Sequence, residues 1–102
     1  MEDFSKTKME DFVKIKNGFA LHDQNERMIA EITYAPYGED KVIANHTYVD
    51  SSLRGQGIAE MLLDRLVEEM RAEGKKIVPR CSYVVAMFDR KREKYADIKA
   101  EI

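Results

Sequence analysis

The sequence has a single cysteine, Cys81, so no intrachain disulfide can brace it. With no secretory leader recognisable at the start, that cysteine usage points to a reducing, cytoplasmic setting. Uninterrupted apolar stretches are only a few residues long, too short to span a bilayer. Neither sign of charge dominates: 17 Lys and Arg against 19 Asp and Glu leave a formal net charge of −2. Such a balance provides no global field for nucleic acid, and the 35% of charged residues, mixed in sign, describe an ordinary solvated surface. Internal repeats and low-complexity segments are absent as well. What is present is 44% hydrophobic residues in a chain of 102, enough for a modest core in one domain, residues 1–102. The polar opening, Met1 to Lys8, is expected to be frayed.

The first half reads as strands. Asp11 to Lys16 alternates polar and apolar residues with a period of two, and Asn17-Gly18 marks a turn before Phe19 to His22. A second turn over Asp23 to Glu26 precedes a strand from Met28 to Tyr34, which Pro36 and Gly38 are expected to close. Lys41 to Val49 forms a third long strand. From Ile58 the period changes: Met61, Leu62, Leu66 and Met70 fall on one helical face, with Gly74 placed to cap the end. Ile77 to Cys81 predicts a short strand, Ser82 a helix cap, and Tyr95 to Ile98 a terminal helical turn. Strands followed by strand–helix–strand–helix imply an α+β, mixed α/β domain with a mostly antiparallel sheet.

The most informative unit lies between Val49 and the long helix, where Leu53-Arg54-Gly55-Gln56-Gly57-Ile58-Ala59 opens the helical pattern. Two residues without Cβ let the backbone bend sharply and let a bulky anion approach it. Unpartnered N–H groups at a helix start favour phosphate. The Rossmann fingerprint would need a third glycine where Glu60 stands, and a Walker loop would need the missing Gly-Lys-Ser/Thr. A tight strand-to-helix turn without any ligand is the plain alternative.

Arg54, Gly57 and Ala59 fill the fixed positions of Arg/Gln-x-x-Gly-x-Gly/Ala, and this segment resembles the coenzyme A loop of the GNAT acyltransferase superfamily. His46-Thr47-Tyr48-Val49, Gly55-Gln56-Gly57 and Cys81-Ser82-Tyr83 are similar, at compatible spacing, to the short YjdJ-like proteins of that superfamily, a likeness spanning residues 12 to 98. The resemblance implies a compact, truncated GNAT-like fold that binds acetyl-coenzyme A. Backbone amides of Leu53, Arg54, Gly55, Gln56, Gly57, Ile58 and Ala59 would hold the pyrophosphate, with Thr47, Tyr48 and Val49 serving the pantetheine arm. No metal is implied. Full-length relatives add two more strands and carry a general-acid Tyr, a position that falls here on Phe88.

Direct acetyl transfer needs a neutral amine and a polarised thioester carbonyl held together. His46 is a candidate base, because histidine ordinarily titrates near neutrality, although it also suits a hydrogen-bonded strand edge. Asp50 or Glu31 could act through water. Cys81, at the carboxyl end of its strand and just before a helix, is a candidate acetyl-accepting nucleophile or simply a small buried hydrophobe. Two functions follow: an N-acetyltransferase acting on an unidentified amine of a small molecule or protein, or a non-catalytic acyl-coenzyme A-binding module acting through a protein partner. Neither nucleic acid nor membrane is an expected partner. An edge strand left by the missing terminal strands allows a monomer or a homodimer.

Overall fold

The computed structural model describes residues 4 and 6–101, so part of the expected frayed opening, residues 1–3 and 5, lies outside the described residues. One five-stranded sheet runs through the molecule in the order β1-β2-β3-β4-β5. Its strands are β1 (Val13–Ile15), β2 (Gly18–His22), β3 (Met28–Tyr37), β4 (Lys41–Val49) and β5 (Lys76–Pro79). Between β4 and β5 lies α1 (Ile58–Glu73), and β5 is followed by α2 (Ser82–Arg90) and the short α3 (Arg92–Tyr95). The first four strands pair antiparallel as a meander, whereas β5 joins β4 parallel. A parallel pair needs a crossover, and α1 is that crossover. The fold is therefore the expected mixed α+β arrangement, with a mostly antiparallel open sheet.

The apolar stripe of α1 explains its position. Ile58, Leu62, Leu63, Leu66, Val67 and Met70 are all buried, and they form one cluster with Phe19, Ile32, Val42 and Ala44 of the sheet. Burial of each such side chain stabilises the fold by about 1.5–3 kcal/mol. Val84, Met87, Phe88, Tyr95 and Ile98 extend the same cluster, so α2 and α3 share this core with α1. Gly74 ends α1 in a left-handed conformation, its N–H donating to the Arg71 carbonyl and the Lys75 N–H to that of Met70. This is the glycine cap expected from the sequence.

Several boundaries differ from the expectation. Residues Met9–Asp11 form a 3-10 turn, leaving β1 only three residues long. β3 does not stop at Tyr34 but runs through Pro36, which sits opposite Val42 near the end of the hairpin. A proline fits there because few ladder bonds remain to be made beyond it. Ser82 is the first residue of α2 rather than its cap, a position that belongs to Cys81. The terminal helical turn expected over Tyr95 to Ile98 lies earlier, as α3 over Arg92–Tyr95, and residues after Tyr95 turn back to the sheet. There Lys99 bridges Ile77 in parallel, with the Ile77 N–H donating to the Ile98 carbonyl and the Ala100 N–H to that of Ile77. The outer edge of β5 is thus partly covered. Among the described residues, no helix is long and apolar enough to cross a membrane.

Candidate functional site

Because β4 and β5 run parallel, α1 and α2 both start at the same end of the sheet, beyond the carboxyl ends of those strands. That end is where open α/β sheets hold ligands. From Val49 the chain enters a 3-10 turn, Ser51–Leu53, anchored by the buried Leu53 side chain. Asp50 fastens the turn: its carboxylate accepts the Ser52 hydroxyl at 2.6 Å, and that bond, with the Ser52 and Ser51 amides, holds its pKa below the ordinary carboxylate value. Gly55 and Gly57 then take φ of +85° and +77°, the left-handed region that L side chains rarely adopt. Beside both glycines the space is open, with no atom near a would-be Cβ. Gly57 immediately precedes α1, whose first amides receive no side-chain cap. Arg54 is exposed and makes no ion pair among the described residues. The loop therefore offers uncapped backbone amides and a cation, features that suit an anion.

The second component is a fork in the sheet. Pairing of β4 with β5 stops at Ala44 and Pro79, where the Arg80 and Cys81 amides both donate to the Ala44 carbonyl, at 3.1 and 2.9 Å. Beyond it β4 continues from Asn45 to Val49 without a β5 partner. Opposite this unpaired stretch, the Cys81 sulfur lies 3.5 Å from the Thr47 hydroxyl. Burial alone would raise the thiol's pKa, but the Thr47 hydroxyl and the first α2 amides, Tyr83 and Val84, outweigh it and hold the thiol below its ordinary value. Half-buried Cys81 is accordingly more acidic than an inert core cysteine.

Thr47 owes this position to a bulge. His46 pairs with Thr33 and Ala44 with Tyr34, so Asn45 is an extra residue in β4. Val42 and Ala44 are buried before the bulge, while Thr47 and Val49 are the inward, half-buried residues after it. The inserted residue reverses the alternation and turns Thr47 toward Cys81. It also turns His46 outward, where its Nε2 lies 3.5 Å from Glu31 Oε2 on an exposed face, and leaves Tyr48 40% exposed. Two of the predicted side chains, Cys81 and Thr47, are brought together; His46 is not in that contact. Phe88 is buried in the core, its ring 5.0 Å from that of Tyr95, so the position holds a packed apolar side chain with no hydroxyl. His22 is exposed at the end of β2. Beside the loop, a cleft of about 580 Å³ is lined by Asp23, Arg27, Asp50, Ser52, Leu53 and Gln56, among others.

Sequence reasoning did not find the acidic partners of Lys91 and Lys94 beside the loop. Glu60, in the first turn of α1, is ion-paired to Lys91 at 2.6 Å and to Lys94 at 2.8 Å. Lys94 also reaches Asp64 at 2.9 Å, and the Tyr95 hydroxyl donates to Asp64 at 2.7 Å. The two lysines are three residues apart, a hint of a shared helical face, but their acidic partners lie 30 or more residues away. Among the described residues no group of three or more His, Cys, Asp or Glu is placed to hold a metal ion.

Residues 18–98 match the family described as GCN5-related N-acetyl-transferase. The chain belongs to this GCN5-related family. Its match contains the fork, the glycine loop, α1 and α2. The NMR solution structure of a Staphylococcus aureus protein, assigned as a GCN5-like N-acetyltransferase, is similar to it at 30% identity. That similarity covers 89% of this chain and 88% of the other, with a TM-score of 0.74. A tetramutant of a Bacillus halodurans protein shares 16% identity over 88% of this chain and 64% of its own, with a TM-score of 0.47. None of the curated proteins matches the chain. Membership of the GCN5-related family and the shared α+β fold agree with the resemblance drawn from the loop.

Proposed function

We propose that this protein is an N-acetyltransferase that moves the acetyl group of acetyl-coenzyme A to an amine. The observation that carries the reading is the conjunction, in a GCN5-related chain, of the fork at Ala44 and Pro79 with the left-handed Gly55–Gly57 turn. The pieces suit the co-substrate. Leu53, Arg54, Gly55, Gln56, Gly57, Ile58 and Ala59 present backbone amides and one cation to a pyrophosphate. Thr47, Tyr48 and Val49 present unpaired β4 backbone to an extended pantetheine arm. Cys81 and Thr47 then stand where the thioester would end.

In the direct route the amine nitrogen bonds to the acetyl carbon, the carbon–sulfur bond breaks, and the coenzyme A thiolate leaves. The amine must shed its proton to a base, and His46, oriented by Glu31, supplies one for an acceptor arriving on the exposed face of β4. The alternative route uses the acidified thiol of Cys81. Its thiolate attacks the acetyl carbon and expels the coenzyme A thiolate, and the amine then takes the acetyl group from Cys81. A second reading, a non-catalytic acyl-coenzyme A-binding module, is favoured by Phe88, which occupies the position of the family's acid while locked against Tyr95.

Calorimetry with acetyl-coenzyme A, followed by thiol release across a panel of amines, tests both readings. Saturable binding with amine-dependent thiol release is the expected result. Absence of binding refutes the loop assignment, whereas binding without release from any amine favours the module.

A further inference from the structure

Resting on the acetyl-coenzyme A reading above, we infer that Lys91 and Lys94 are positioning residues that screen Glu60 from the phosphates held at the start of α1. Glu60 is the third residue of α1, in the turn whose free amides would face the pyrophosphate. A carboxylate there suits the helix dipole but repels an anionic ligand that uses the same amides. Its Oε2 accepts from both lysines, at 2.6 and 2.8 Å, and these bonds hold Glu60 in its charged form. The carboxylate is therefore not removed by protonation; it is neutralised by two ammonium groups delivered from the end of α2 and from α3. Among the described residues Lys91 contacts only Glu60 of the acidic side chains, while Lys94 also binds Asp64, so the two substitutions are not equivalent. The arrangement couples the short α3 to a phosphate site it does not itself form.

The test is a rescue experiment on the full chain, with calorimetric titration by acetyl-coenzyme A and circular dichroism melting as the folding control. Lys91→Met and Lys91→Met/Lys94→Met are expected to weaken binding by about two- to fivefold, the range one uncompensated charge at a helix terminus produces. Adding Glu60→Gln to either is expected to restore the lost affinity, because no charge remains to be screened. Acetyl-pantetheine, which has no pyrophosphate, should bind the wild type and Lys91→Met equally. An unchanged affinity for acetyl-coenzyme A in the folded lysine variants overturns the inference. So does a loss that Glu60→Gln fails to restore, which would make the lysines direct ligand contacts. A wild type that binds no acetyl-coenzyme A overturns the underlying reading as well, and is recognised before any variant is made.

Discussion

Gly57 and Gly74 flank α1 with nearly the same backbone, φ +77° and +71°, and an added Cβ meets nothing within 4 Å at either. Alanine at either position therefore suffers conformational strain without a clash. The left-handed conformation costs an L residue about 1–2 kcal/mol. Reduced freedom of the unfolded chain offsets roughly 0.5 kcal/mol of that, leaving about 1 kcal/mol. For a domain of this size the melting temperature should fall by about 4–8 °C in both Gly57→Ala and Gly74→Ala. The variants should part company in ligand binding. At Gly57 the new methyl stands where a pyrophosphate would approach the α1 amides, and affinity for acetyl-coenzyme A should fall tenfold or more, about 1.4 kcal/mol. At Gly74, on the opposite end of the helix, affinity should be unchanged. Thermal melts and calorimetric titrations of both proteins decide the matter. Equal binding by the two variants would refute the claim that Gly57 is kept open for an anion, and a large difference in melting would refute the strain estimate.

Two further outcomes follow from the fork and the core. Thr47→Val removes the hydroxyl that favours the Cys81 thiolate, so the midpoint of pH-dependent alkylation at Cys81 should move upward; an unmoved midpoint would leave the thiol's acidity to the α2 amides alone. Tyr95→Phe leaves the half-buried Asp64 without its 2.7 Å hydroxyl donor, which should cost about 1–2 kcal/mol in chemical denaturation, and a loss below 0.5 kcal/mol, roughly the value for a solvated pair, would contradict the buried geometry.

Much of this was legible in the residues because the signals were local. Ile58, Leu62, Leu66 and Met70 sit at helical spacing, and Gly74 follows where a left-handed cap is needed. The Arg54-to-Ala59 loop could be read for the same reason, since its glycines are needed by the turn itself. Long-range geometry was not legible. Pro36 suggested a strand end, but Val42 opposite it decides that β3 goes on. Ser82 looked like a cap because of its hydroxyl, yet the point where β5 leaves Ala44 puts Cys81 at the cap position. Nothing near Lys91 or Lys94 in the chain announces Glu60 as their partner, since that contact exists only after α3 has folded back on α1. His46 and Cys81 were both read as near the site, but whether they share a face depends on one unpaired residue.

That residue, Asn45, gives β4 a place where a change in length leaves its two faces in phase. Its side chain is exposed and, among the described residues, takes part only in a hydrogen bond from the Thr33 hydroxyl, so many residues can replace it. Removing it is also tolerated by the pattern of faces: with Asn45 deleted, His46 follows Ala44 and still points outward, and Thr47 still points inward. An insertion between His46 and Thr47, by contrast, would swing Thr47 out to solvent and undo the fork, because nothing beyond the bulge absorbs an extra residue.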